Sequence, residues 1–287
     1  MTESTKETSQ QSQLNQVYSM IVKADVSGFS KVITDNPSLV TEHGLIILMA
    51  LISPENELPD SVTGNKKGLE LRHENHAAMV KILAQAKVDF TPEFKKSPVL
   101  SAASLENGPV LEALLEAGAS PEGWDTDLRS PLAEAIYWNN TEMIEILLKH
   151  NASVVELRTA AGVGDLEFIK AILEAKRHDC ILRNEAFVYA CRNHQFEAAK
   201  LLLENGANVN AREPGDWMPK GQCATCLHMA ISSGDLEMVK FLIENGADVE
   251  IRDDLWKHTA MGWAEHCNQE DIIAYLKNNE SQKSSHS

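Results

Sequence analysis

The stretch FEAAKLLLENGANVNAR at 196–212 returns forty residues later as LEMVKFLIENGADVEIR at 236–252. In both copies apolar residues recur every three or four positions, the spacing of an amphipathic helix with one buried face. Gly206 and Gly246 follow the last apolar turn, where glycine can adopt the left-handed backbone conformation that ends many helices. The duplicated stretch therefore predicts a short helix whose apolar face needs a neighbouring helix to cover it.

A second pattern precedes the later copy and predicts another helix. The segment TCLHMAISSGD begins at Thr225, and similar segments begin as SPVLSAAS at Ser97 and SPLAEAIY at Ser130. Thr and Ser cap helix N-termini, and Pro98 and Pro131 then fall on the first helical position, where a backbone N–H is not needed. Because Ser97 and Ser130 are 33 residues apart, the chain is predicted to repeat a helix pair at about that period.

These residues resemble the ankyrin repeat, whose unit contains a loop, the motif T-P-L-H-x-A-A, a Gly, an apolar helix and a closing G-A-D-V-N. The best copy is TCLHMAISSGDLEMVKFLIENGADVE at 225–250. The resemblance covers about residues 14–279 and implies an all-α ankyrin-repeat solenoid of about eight helix-turn-helix units, the first two and the last being degenerate. The degenerate ends and the shortened fifth repeat resemble those of single-domain bacterial ankyrin proteins.

Segments outside the repeats are polar. The tails 1–13 and 280–287 are rich in Ser, Thr, Gln and Lys, so disorder is predicted for both. A polar insertion at about 53–72 holds Pro and Gly residues and is predicted to be a surface loop within the second unit. The interval between the fourth and fifth units is too short for the loop that usually precedes a unit, which predicts a bare helix pair there.

The charge balance disfavours several kinds of partner. The chain holds 26 Lys and Arg against 42 Asp and Glu, a net charge of −16. Nucleic acids and anionic membrane surfaces attract basic residues, so neither is expected as a partner. No apolar run reaches the roughly 18 residues of a membrane helix. The N-terminus lacks the apolar core of a secretory signal and the five cysteines are odd in number, so reduced thiols and a cytoplasmic location are predicted.

Catalytic motifs are missing from the sequence, so no enzymatic activity and no cofactor are expected. Acidic pairs such as Asp253-Asp254 are interpreted as solvated faces in a chain of this charge. The alternative is a metal- or thiol-dependent module on Cys223-x-x-Cys226, since two thiolates with this spacing are typical of zinc sites. Its further weak candidate ligands are His258, His266 and Cys267. The competing interpretation is structural, because Cys226 and His228 occupy the Pro and His positions of T-P-L-H.

The family resemblance implies that a partner protein contacts the loops before T-P-L-H, called finger loops, and the ends of the first helices. Aromatic residues concentrate there although they make up only 6% of the chain, and aromatic and Arg side chains often carry binding energy. The candidate contact residues are Phe94, Trp124, Asp127, Arg129, Tyr137, Trp138, Trp217, Trp256 and His258.

One alternative for this surface is that Tyr137 and Trp138 pack in the place of a missing finger loop. The expected partner is basic or of mixed charge, since the chain is acidic, and the chain itself is expected to be monomeric. Inhibition, an immunity-type role and scaffolding all remain open as the purpose of binding.

Overall fold

Short helices in consecutive pairs build the part of the chain that the computed structural model describes, residues 3–52, 66–88, 97–122, 130–175, 180–212 and 224–284. These residues form sixteen helices, and their only β-type pairing is an isolated antiparallel bridge between Arg212 and Thr225. The chain divides into two units, Met1–Ser153 and Val154–Ser287. The predicted all-α fold class is confirmed.

The first unit contains eight helices within the described residues. Their bounds are α1 Glu3–Lys23, α2 Val26–Asp35, α3 Pro37–Ile52, α4 Lys66–Gln85, α5 Pro98–Ser104, α6 Gly108–Glu116, α7 Pro131–Tyr137 and α8 Thr141–Lys149. Within the unit α1, α3, α5 and α7 pack in one row, and α2, α4, α6 and α8 pack in a second row. Leu111 and Leu114 of α6 and Leu132 and Ile136 of α7 are among its fully buried side chains.

The second unit also contains eight helices within the described residues. Their bounds are α9 Leu157–Val163, α10 Leu166–Glu174, α11 Cys180–Arg192, α12 Phe196–Glu204, α13 Cys226–Ser232, α14 Leu236–Glu244, α15 Ala260–His266 and α16 Glu270–Ser284. The first helices α9, α11, α13 and α15 again pack successively on one another. Leu202 and Leu242, from the duplicated stretch, are completely buried in one continuous core.

The helix ends agree with the local signals in the sequence. Ser97 and Ser130 accept bonds from the backbone N–H groups of Leu100 and Ala133 over 3.4 Å and 3.1 Å, and proline occupies the first turn of both helices. Gly206 and Gly246 have φ values of +90° and +89°, a backbone conformation that other residues adopt only with strain. Seven residues separate α8 from α9, as expected for a pair without a finger loop.

Three helix bounds differ from the sequence predictions. Helix α1 begins at Glu3 inside the tail 1–13, α4 begins at Lys66 inside the insertion 53–72, and α16 continues to Ser284 beyond residue 280. In each case the predicted irregular segment adjoins a helix that packs on the core, and Lys, Glu, Gln and Leu extend a helix once its first turns exist. Residues 53–65 of the insertion lie outside the described part of the chain.

Candidate functional site

The finger loop at 251–258, between α14 and α15, is organised around one buried carboxylate. Oδ1 of Asp253 accepts bonds from the backbone N–H groups of Leu255 and Trp256, over 2.8 Å and 2.6 Å. Oδ2 accepts from the backbone N–H of His258 over 2.8 Å and from the indole Nε1 of Trp263 over 3.0 Å. Asp253 is only 2% exposed, so the expectation that the Asp253-Asp254 pair is a solvated face is wrong for Asp253.

The charge of Asp253 is stabilised inside the loop. Burial by itself would raise the pKa of this carboxyl, but the bonds from the Trp256 backbone, the Trp263 indole, and the His258 and Leu255 backbones lower the pKa to about 2. Each donor favours the ionised form because only the carboxylate accepts all four bonds. Asp253 is therefore ionised near neutral pH and fixes the conformation of the loop.

Two apolar side chains project from this ordered loop into solvent. Leu255 is 42% exposed and Trp256 is 52% exposed. The ring of Trp256 meets Trp263 edge to face, with 5.2 Å between the ring centroids, and its centroid lies 6.2 Å from that of His266. The predicted contact residue Trp256 thus occupies a defined orientation at the loop tip, and His258 is exposed beside it.

The base of the loop rests on a buried histidine of α13. Nδ1 of His228 accepts the backbone N–H of Thr225 over 3.2 Å and lies 2.8 Å from the Thr225 hydroxyl, while its ring centroid lies 5.6 Å from that of Trp263. Burial lowers the pKa of His228, although backbone groups of His258 and Ile251 and the Asp253 carboxylate favour the charged form. The neutral ring is therefore a structural part of the loop support, as the T-P-L-H position implies.

The first unit exposes a tryptophan at a helix end. Trp138 terminates α7 and is 59% exposed, and its indole Nε1 donates a hydrogen bond to Oε1 of Glu134 over 3.0 Å. Its neighbour Tyr137 is only 6% exposed and meets the Trp138 ring edge to face at a centroid distance of 5.0 Å. Tyr137 therefore belongs to the core of the free chain, as the packing alternative expects, whereas Trp138 remains available for contact.

The remaining predicted contact residues are not covered by the structure. Phe94, Trp124, Asp127, Arg129 and Trp217 lie outside the described residues, and their roles stay predictions. Among the predicted contact residues that the structure describes, Trp256 and His258 lie on one loop, and both rings are close to His266. It places Trp138 in the other unit.

The thiol cluster is described only in part. Cys223 lies outside the described residues, and Cys226 is buried, with Sγ 3.9 Å from the Ala211 carbonyl oxygen that accepts its weak bond. The rings of His258 and His266 are 6.3 Å apart, and Cys267 is partly buried. Within the described ranges no group of three or more His, Cys, Asp or Glu side chains is arranged to hold a metal ion. A metal site that uses Cys223 stays a prediction.

Two residues that shape the finger loop, Asp253 and Trp263, are not identified by the sequence. Asp253 is interpreted from the sequence together with Asp254, and no sequence pattern assigns a role to Trp263. The available signal was the sequence Asp253-Asp254-Leu255-Trp256, since an Asp often accepts backbone N–H groups two residues ahead in a tight turn. That signal predicts the turn but not the indole bond, which depends on the packing of α15.

Among the described helices, none combines the length and the apolar character needed to cross a membrane.

Comparison with known proteins identifies the fold. Family models described as "Ankyrin repeats (many copies)" match residues 187–243 and 227–276, and one described as "Ankyrin repeats (3 copies)" matches 71–157. Together the matches cover more than half of the sequence. The chain belongs to the ankyrin repeat family, which is a family of protein-binding modules.

Individual relatives are more distant. The chain is 29% identical over 175 residues to "Ankyrin repeat and KH domain-containing protein mask-1" of Caenorhabditis elegans, covering 57% of this chain and 6% of that protein. It is 28% identical over 99 residues to "Alpha-latrocrustotoxin-Lt1a" of Latrodectus tredecimguttatus, covering 31% of this chain and 7% of that protein. The chain thus spans less than a tenth of the length of either relative, and its similarity to bacterial proteins stays a prediction.

One solved structure is also similar to part of this chain. The crystal structure of the human ASB11 ankyrin repeat domain is 21% identical in sequence, with a TM-score of 0.36, and the match covers 72% of this chain and 96% of that one.

Proposed function

We propose that this ankyrin-repeat chain binds a partner protein through its finger loops and the ends of its first helices, with Trp256 and Trp138 as anchors. The observation that carries the proposal is the exposure of Trp256 on a loop that Asp253 already holds in one conformation. A loop that is already ordered loses less conformational entropy on binding than a mobile loop does. A half-exposed indole also gains apolar burial when a partner covers it.

The second anchor has the same character. The Trp138 side chain is held by its bond to Glu134, yet more than half of its surface contacts solvent. Large aromatic side chains with few rotamers give much contact area for little lost freedom, which suits them to interfaces. Because the net charge of the chain is −16, we propose that its partner is basic or of mixed charge. We also propose that the chain is a monomer and has no catalytic activity.

The proposal places the chain in the cytoplasm. The free thiols of the described cysteines support this location, because thiols stay reduced in the cytosol. These cysteines are Cys180, Cys191, Cys226 and Cys267. The chain acts either as an inhibitor or immunity-type protein that covers a partner's active site, or as a scaffold. An activity assay of a captured enzyme, with and without the chain, separates these two roles.

The test pairs affinity with folding. The partner is captured from lysate with the intact chain, and its dissociation constant is then measured for wild type, Trp256→Ala and Trp138→Ala. Truncating an anchor should weaken binding about thirtyfold while the thermal midpoint changes little. Leu148→Ala is the matched control, because Leu148 is an exposed apolar residue of the second row of helices. Unchanged affinity in both tryptophan variants would disprove the proposed surface.

A further inference from the structure

Leu105 and Trp138 occupy equivalent positions in successive helix pairs of the first unit. Each is the C-cap residue that directly follows a first helix, α5 or α7, and these two helices pack against each other. Each is followed by a residue in the left-handed conformation, Glu106 at φ +54° and Asn139 at φ +53°. Leu105 is 47% exposed and Trp138 is 59% exposed, so two neighbouring helix ends present apolar side chains to solvent.

Three carboxylates lie on the residues that adjoin these two helix ends. Glu134 accepts the bond from the Trp138 indole, and Glu106 follows Leu105 directly and is exposed. The Glu142 carboxylate lies against Gly108, in the space that a Cβ at that position would need. We call Leu105, Glu106, Glu134, Trp138 and Glu142 the Trp138 edge.

The described segments around the Trp138 edge hold few basic residues. The described segment 97–122 contains no Lys or Arg, and the described segment 130–153 contains only Lys149. Lys149 lies in the last turn of α8, about 10 Å along the helix from Glu142, and its ammonium group pairs with Glu112. Neither Glu106 nor Glu142 has a basic partner among the described residues.

The helix ends at this edge do not by themselves favour one sign of charge. The C-termini of α5 and α7 carry a partial negative charge, but α6 and α8 begin a few residues later and their N-termini carry the opposite partial charge. The exposed ring of Trp138 supplies a π face, which attracts a guanidinium or ammonium group placed over it. The apolar area, the π face and the carboxylates therefore favour the same kind of ligand group.

We infer that the Trp138 edge binds a segment of the partner protein in which an arginine lies close to an apolar residue. The guanidinium stacks on the Trp138 ring and interacts with Glu106 and Glu142, while the apolar side chain packs on Leu105. Arginine suits this site better than lysine, since its planar cation stacks on aromatic rings and is more weakly hydrated. This inference rests on the proposed protein-binding function and specifies the chemistry of one of its contact sites.

The test uses the intact chain and peptides as probes. Immobilised chain is panned against a phage-displayed library of random peptides, and phage that also bind the Trp138→Ala chain are removed. The enriched peptides are expected to carry an arginine within a few residues of an apolar side chain. Replacing that arginine by the uncharged isostere citrulline should weaken binding to wild-type chain about tenfold and should have little effect on binding to Trp138→Ala.

Chain variants separate binding from folding. Glu106→Gln and Glu142→Gln should each weaken the arginine peptide severalfold, whereas Glu197→Gln, an equal charge change on an exposed residue of α12, should not. Trp138→Phe keeps an aromatic face and should bind better than Trp138→Ala. Thermal midpoints of all variants identify any loss that is due to unfolding.

Two outcomes would overturn the inference. The first is that enriched peptides lack basic residues or that none is enriched. The second is that arginine peptides bind equally well to wild type and to folded Glu106→Gln and Glu142→Gln. In either case a captured partner whose affinity depends on Trp256 would leave the proposed protein-binding function standing.

Discussion

The indole of Trp263 donates a hydrogen bond to Oδ2 of Asp253 over 3.0 Å and so fastens the finger loop to the helix that follows it. The same carboxylate accepts three backbone N–H groups of the loop, including that of Trp256. One buried charge therefore determines both the loop conformation and the orientation of the exposed Trp256. This relationship predicts that a change at Asp253 affects stability and binding together.

Asp253→Ala should lower the free energy of unfolding by about 2 to 3 kcal/mol near neutral pH. The variant leaves the donors of Leu255, Trp256, His258 and Trp263 without their acceptor, and unsatisfied donors in partly buried positions are costly. Urea unfolding measures the loss.

The control is the adjacent Asp254→Ala. Asp254 is on the surface and pairs with Arg212 over 3.0 Å, so the loss should stay below about 1 kcal/mol. Equal losses at the two positions would show that the carboxylate does not organise the loop.

His228 should make stability depend on pH. Burial lowers its pKa below the ordinary 6.5, so between 6.5 and the lowered value the unfolded chain binds more protons than the folded chain. The contribution of neutral His228 to the free energy of unfolding is complete above about pH 6.5 and is lost as the pH falls below that value. Protonation of Nδ1 also breaks the hydrogen bond that it accepts from the Thr225 N–H. Urea unfolding between about pH 7 and pH 5 measures the effect.

His228→Gln isolates the titration. The variant should be less stable at pH 7 because a neutral buried hydrogen-bonding ring is lost, but its stability should fall less steeply with decreasing pH than that of wild type. Parallel curves for the two chains would rule out His228 as the titrating group.

Leu242→Ala and Leu202→Ala should each lower the free energy of unfolding by roughly 2 to 5 kcal/mol. Both side chains are fully buried at equivalent positions of the duplicated stretch, so truncation removes apolar contacts and leaves a cavity. Ser233→Ala provides the comparison at an exposed helix end and should change stability by less than about 0.5 kcal/mol. A similar loss at Ser233 and Leu242 in denaturant would contradict the assigned register.

Glu106→Asn should raise stability by up to about 1 kcal/mol. Glu106 has φ +54°, and asparagine adopts the left-handed conformation with less strain than glutamate. Asn139→Ala, at the equivalent position with φ +53°, should lower stability by a similar amount. Thermal unfolding of both variants tests the pair, and changes of the same sign would contradict this explanation.

The sequence pointed to the two exposed tryptophans of the candidate site within the described residues. The aromatic concentration pointed to Trp138 and Trp256, and both are more than half exposed. The sequence also predicts Tyr137 as a contact residue, because Tyr137 and Trp138 both lie at the end of a first helix. Their burial differs because successive helical residues point about 100° apart, so Tyr137 faces the core when Trp138 faces solvent.

The sequence by itself determined the helix pairs and their ends. Apolar spacing, Ser and Thr caps, and Gly206 and Gly246 act over a few residues, so their consequences can be read without knowing what packs nearby. Only the tertiary structure decided which of two adjacent aspartates is buried. Asp253 differs from Asp254 because α15 places the Trp263 indole against it, and a contact ten residues away depends on packing that no local pattern specifies.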